Sequence, residues 1–301
     1  MKIQNKMLRI SIPLLSFLFV TIIFAPLAAH GELKSFGNVS GISAKKTNGV
    51  VLQTAGSSKV EILFFDLDVV RVRYAPEGKF ERDFSYAFDY SHDRKTPEIK
   101  ILQTNSQIIL ESFSGVRTVV DKSPLNITIF DSNGSVVVAD DKKHPASFDD
   151  VTGEIRTSKL RKSEVETYYG FGEKAFAEMS RNGKYMTMWN TDTFAYPVGT
   201  DPIYQSIPFF YSLHDGKSYG IFFNNTFRSF FDMGKTSPEH YSFGAEGGEL
   251  DYFVFIGGKD RSPKKVLEEY SNLTGKTPLP PLWALGNQQS RWSYFPESRV
   301  R

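Results

Sequence analysis

The sequence contains no cysteine, so neither disulfide bonds nor thiol chemistry can contribute to its fold or function. Its five histidines, His30, His92, His144, His214 and His240, follow no metal-ligand spacing, and neither a metal site nor a cofactor is expected. No G-x-S-x-G turn and no complete triad pattern marks a serine nucleophile. Internal repeats and low-complexity segments are missing, and so is an excess of one charge. The net charge of +2 originates at Lys2, Lys6 and Arg9; without them 33 basic residues face 34 acidic ones. A near-neutral body with no basic stripe argues against nucleic acid as a partner.

One long apolar run exists, at the start. The three basic residues precede an uncharged stretch from Ile10 to Ala29, with an apolar centre at Ile10–Phe24 and a small-residue tail, "APLAAHG". This is the pattern of a signal peptide over residues 1–31, cut after Ala29 or Gly31, and it implies a periplasmic or secreted protein with no stable membrane partner after cleavage. An N-terminal membrane anchor is the alternative, because the run reaches the roughly 18 residues at which spanning begins. Pro13 and the small-residue tail favour the signal.

What the sequence has in quantity is aromatic: 26 Phe, 14 Tyr and 3 Trp, together with many β-branched residues, which favours sheet over helix. In "VVRVRYA" Val70, Val72 and Tyr74 fall on one strand face and Arg71 and Arg73 on the other. "LNITIF-DSNG-SVVVA" (125–139) and "IPFFYSL-HDGKS-YGIFF" (207–223) read as hairpins, and "ELDYFVFIGG" (249–258) as a further strand. Short strands separated by turn residues predict a mostly β, two-sheet sandwich over residues 32–258. A helix is predicted at Ser262–Leu273, with Ser262 as N-cap, Pro263 in the first turn, and Val266, Leu267, Tyr270 and Leu273 on one face. Helix and linker occupy 259–281; "TPLPP" then stiffens the approach to an apolar strand beginning at Leu282. The acidic doublets Asp140-Asp141, Asp149-Asp150 and Glu268-Glu269 read as solvated surface.

Two stretches suggest sites. Gly170-x-Gly172-x-x-Ala175, with Asp192 twenty residues beyond the second glycine, superficially matches a dinucleotide fingerprint. Its context is wrong: a half-charged segment precedes it and an Asn182-Gly183 turn follows, so the glycines are read as permitting a tight backbone path. "MWNTDTFAYPVGTDPIYQSIPFF" (188–210) lacks strand periodicity and carries Pro197, Gly199 and Pro202, which describes a long ordered loop. A carboxylate accepts hydrogen bonds from vicinal hydroxyls, and a flat aromatic ring covers the C–H face of a pyranose. The residues alone leave two readings open: a sugar-contacting loop, or one whose aromatics plug the sandwich edge.

Three stretches in order, "YYGFGEKAFAEMSRNGKYMTMWNTDTFAYPVGTDPIYQSIPFFYSL", "GGELDYFVFIGG" and "TPLPPLWALGNQQSRWSY", resemble glycoside hydrolase family 31, the α-glucosidase and α-xylosidase family. The resemblance implies a galactose-mutarotase-like N-terminal sandwich, then the first strand, at 282–301, of an incomplete (β/α)8 barrel. Such a barrel takes about 250 residues, so the chain is expected to be a fragment of a longer retaining α-glucosidase-type enzyme acting on terminal α-linked glucosides. The family's two catalytic aspartates lie on later barrel strands; no catalytic residue is expected here, and the chain alone is expected to be inactive. The resemblance further implies that Asp192 of "WNTD" reaches over the barrel mouth to bind sugar, with Trp189, Thr193 and Phe194 beside it. Arg291, Trp292 and Tyr294 are implied to line or support the pocket, and the partner is an oligosaccharide or α-glucoside. Two competing expectations are a stand-alone carbohydrate-binding sandwich and a purely structural one.

Overall fold

The computed structural model describes residues 31–91, 95–288, 295–299 and 301. One layer is an eight-stranded antiparallel sheet. Its order is Thr167–Gly170, Phe209–His214, Lys217–Phe223, Leu250–Phe255, Val69–Ala75, Lys59–Asp66, Gly49–Thr54 and Val39–Lys46. Facing it are a six-stranded sheet running from Lys34–Ser35 to Tyr185–Met188 and a five-stranded sheet running from Val136–Ala139 to Ile99–Gln103. An isolated bridge, Asp140 to Lys159, joins these two. One hydrophobic core draws on all three sheets, with Val72, Tyr74 and Phe223 from the first, Phe231 and Phe243 from the second, and Ile108 and Ile127 from the third.

Both expected hairpins form. Gly134 N–H closes on Asp131 O at 2.9 Å between Leu125–Phe130 and Val136–Ala139, and Asp215-Gly216 separate the strands of the second, both at positive φ. The helix spans Pro263–Thr274, capped by the Ser262 side chain, which accepts from Lys265 N–H. It packs on the outer face of the eight-stranded sheet. There Tyr270 stacks on Phe209 at 3.8 Å between ring centres, and Val266 and Leu273 are buried among Val69, Phe222, Phe253 and Phe255. Gly220 makes this approach possible, since a Cβ there would come within 2.7 Å of Val266 Cγ1.

Two expectations change, and one strand proves to have a second buried face. The alternation in Val69–Ala75 holds, but both faces are buried. Arg71 pairs with Asp251 through two hydrogen bonds of 2.9 and 2.8 Å, reaches Asp83 at 2.8 Å, and lies 5.0 Å from the Phe253 ring centre. Arg73 pairs with Glu249 at 2.6 Å and lies over Phe80. Segment 80–91 therefore roofs a charged layer; two guanidiniums can be buried there because each meets carboxylate partners.

The acidic doublets are likewise only partly solvated, because Asp140, Asp141, Asp149 and Glu269 are buried. Asp140 pairs with Lys159 and accepts from Ile127 N–H, Asp149 accepts from Val151 N–H, and Glu269 accepts from Gly257 N–H. In each case the carboxylate satisfies an otherwise orphaned donor.

Leu282–Leu285, expected as a strand, is instead a short 3-10 turn held by local bonds such as Ala284 N–H to Pro281 O. A strand needs a neighbour for its backbone groups, and none of the three sheets offers one here. Leu282 and Trp283 are 85% and 76% exposed.

Candidate functional site

The long loop begins where Tyr185–Met188 ends and returns to the eight-stranded sheet at Phe209. Its base is held at many points. Thr191 O accepts from Tyr204 N–H at 3.1 Å, Thr191 Oγ1 donates to Pro202 O at 2.7 Å, and Asn190 Oδ1 accepts from Ser206 N–H at 2.8 Å. Ile203, 1% exposed, plugs into the protein as an apolar anchor. Lys174, whose side chain is fully enclosed, donates to Thr187 O at 2.6 Å and pairs with Asp201 at 3.2 Å. Asp201 also accepts from Thr187 N–H at 2.7 Å, tying the loop back to the strand it left. Burial lowers the Lys174 ammonium below its usual range, although Asp201 opposes the shift.

The glycines of "YGFG" serve this closure. Gly170, Phe171 and Gly172 have φ of 122°, 70° and 68° in succession, and Phe171 is fully buried. A Cβ on Gly170 would come within 2.7 Å of Phe209 O, and one on Gly172 within 3.2 Å of Gln205 O. The strand Thr167–Gly170 pairs with Phe209–His214, and no helix opens on the motif. Close packing against the end of the loop accounts for both glycines.

Above this base the tip is open. Asp192 is exposed, and among the described residues its carboxylate has no hydrogen-bond or ion-pair partner. Thr193 is half-buried, its hydroxyl 3.2 Å from that of Thr191, and Phe194 is 81% exposed. Trp189 faces a different feature. It lines a groove of about 390 Å³ with Tyr86, Asn190, Asn224 and Phe227, which Asp192, Thr193 and Phe194 do not line. Tyr86, Trp189 and Phe227 are all exposed. Arg291, Trp292 and Tyr294 lie outside the described residues.

The fold also makes a grouping that sequence spacing concealed. His144, in the turn after Val136–Ala139, and His240, at the start of His240–Ala245, meet at the Asp141 carboxylate. Two of the five scattered histidines are thus neighbours, their ring centres 4.5 Å apart. Only the pairing of strands far apart in the chain could have revealed this.

Residues 59–232 match the model of the glycosyl hydrolase 31 N-terminal galactose mutarotase-like domain. Alpha-glucosidase 2 of Bacillus thermoamyloliquefaciens is 40% identical over 243 residues, which cover 80% of this chain and 30% of that protein. The alpha-xylosidase XylQ of Lactiplantibacillus pentosus is 29% identical over 201 residues, covering 63% of this chain and 25% of that protein. Among solved structures, a Flavobacterium johnsoniae GH31 dextranase complexed with isomaltotriose superposes with a TM-score of 0.74 at 32% identity, covering 84% of this chain and 30% of that one. The chain spans less than a third of the length of each of these relatives.

Proposed function

The chain belongs to glycoside hydrolase family 31, and from that premise we propose that it forms the N-terminal sandwich of an exported, retaining α-glucosidase-type hydrolase acting on terminal α-linked sugars. Its contribution is to bind and not to cleave. A retaining enzyme sets two carboxylates about 5–5.5 Å apart across the scissile bond; we assign these to the strands of a catalytic barrel, which the segment from residue 282 would begin. Residues 1–31 act as the export signal, and the product works in the periplasm or outside the cell.

The observation that carries this reading is the contrast within one loop. A base fixed by Ile203, Lys174–Asp201 and Thr191 holds aloft a tip whose Asp192 carboxylate is unpaired and whose Phe194 ring is exposed. A carboxylate presented on a rigid support can accept hydrogen bonds from sugar hydroxyls without first being freed from a partner. Trp189, Tyr86 and Phe227 make the neighbouring surface aromatic, as pyranose faces require. Arg291, Trp292 and Tyr294 are the residues we assign to the barrel side of the same pocket.

In the full-length enzyme, Asp192→Ala weakens sugar binding by about 1–3 kcal/mol if its hydrogen bonds are desolvated, and leaves the melting temperature unchanged. An unaltered substrate response would return the loop to a purely structural role. The chain by itself, free of contaminating hydrolases, releases no glucose from maltose; release would overturn the division of labour. The groove beneath Trp189 supports a second reading, a carbohydrate-binding sandwich that works without catalysis. Calorimetric titration of the isolated chain with maltose separates the two, since only the second requires saturable binding.

A further inference from the structure

We propose that Asp141, His144 and His240 form a binding site for one divalent transition cation of the zinc class, on the sandwich and separate from the sugar-facing loop. The three offer one carboxylate oxygen and two imidazole nitrogens, all within 4.8 Å of one another. Asp141 Oδ2 lies 2.6 Å from His144 Nδ1 and 3.3 Å from His240 Nδ1, so both rings aim the same nitrogen at the same point. One oxygen and two ring nitrogens converging in this way fit a small borderline-soft ion, whereas magnesium and calcium take oxygen ligands.

A hydrogen-bonded cluster explains only half of this arrangement. His144 Nδ1 has Asp141 as its partner, but His240 Nδ1 is buried and, among the described residues, makes no hydrogen bond. A buried polar atom without a partner is costly in an ordinary folded protein. A cation between the rings resolves it, because both imidazoles can then be neutral, protonated at Nε2, with the Nδ1 lone pairs directed inward. Zinc–nitrogen and zinc–oxygen distances are near 2.0–2.2 Å, so the 2.6 Å contact must widen by a fraction of an ångström. The His144 side chain is more than half exposed and free to make that shift.

The support of the site is already in place. Asp141 Oδ1 accepts from Lys143 N–H at 2.9 Å, Asp141 N–H donates to Ser158 O at 3.0 Å, and His144 N–H donates to Asp141 O at 3.1 Å. Such contacts fix the carboxylate in the way ligand carboxylates are commonly held. The Lys143 ammonium, on the same turn, is directed to Glu239 at 3.6 Å. Beside the cluster runs a groove of about 950 Å³ lined by both histidines, which leaves the fourth coordination position open to water.

The test uses the untagged protein and zinc chloride alone, followed by isothermal calorimetry and metal analysis after desalting. One zinc per chain is expected, and His144→Ala and His240→Ala each weaken binding by about tenfold or more. His214→Ala, at a histidine outside the cluster, leaves it unchanged. Cobalt(II) gives a second readout: a visible absorption band typical of four-coordinate geometry, which zinc abolishes and which His144→Ala lacks. Circular dichroism melts check that the variants fold, and His144, on the surface, is the safer of the two. Equal zinc affinity in wild type and His144→Ala, or the lack of any cobalt band in the wild type, would sink the proposal.

Discussion

Two segments of this protein look alike as sequence and differ as structure. The loop from Trp189 to Pro208 and the tail from Leu279 to Gln288 both carry prolines, aromatics and exposed apolar side chains. The loop is pinned by a buried lysine–aspartate pair, an isoleucine anchor and side-chain bonds to its own backbone. Among the described residues the tail has only the bonds of its 3-10 turn and a Gln288-to-Trp283 contact, all within itself. Order in an irregular segment comes from its partners elsewhere in the chain, and composition alone does not supply them.

The sharpest way to break this comparison is limited proteolysis. Cleavage is expected between Lys276 and Arg301 well before any cut within 189–208; a tail that survives while the loop is nicked would reverse the contrast. Next in size is the loop's own latch. Asp201→Ala strands the enclosed Lys174 charge and removes the acceptor for Thr187 N–H, at a cost of about 3–5 kcal/mol in urea unfolding. The same substitution should bring the loop's cleavage rate toward the tail's.

The helix ahead of the tail offers a smaller, pH-dependent test of where order ends. Burial pushes the Glu269 carboxyl up to about 8, only partly opposed by the Gly257 N–H. The native chain therefore keeps a proton that the unfolded chain releases above its ordinary value of 4.5. Stability from this group is greatest below about pH 4.5 and falls as pH rises toward 8, by at most roughly 1.4 kcal/mol per unit. Glu269→Gln keeps an acceptor for Gly257 N–H and should flatten that slope, raising the melting temperature at pH 8 relative to wild type. Identical pH profiles would show that Glu269 is ionised in the fold. Smallest of all, Trp283→Ser should change stability by no more than about 0.5 kcal/mol, as expected for so exposed a side chain.

Much of the scaffold was legible because it obeys local rules. Alternation placed the hairpins at 125–139 and 207–223, and Ser262 with Pro263 located the helix start within a residue. What could not be read depends on distant partners. The period-2 pattern assigned Arg71 and Arg73 to the face opposite Val70, but nothing local announced that residues 80–91 would cover them. The acidic doublets misled for the same reason: Asp140 and Glu269 owe their burial to Lys159 and Gly257, remote in sequence. Within the site, the motif placed Trp189 and Asp192 side by side, whereas only Trp189 lines the aromatic groove. His144 and His240 carried no sequence signal at all, since strand pairing alone makes them neighbours.

The bridge between Asp140 and Lys159 has a mechanical consequence. Among the described residues it is the one ladder contact between the five- and six-stranded sheets, so half of the sandwich is continuous cloth and the other half has a seam. That seam is stitched from within by Lys159, which reaches both Asp140 and the Tyr252 hydroxyl of the opposite layer. Force or denaturant should therefore part the two small sheets along this line while the eight-stranded sheet stays whole, and a cation gripped by Asp141, one residue away, would act as a rivet there.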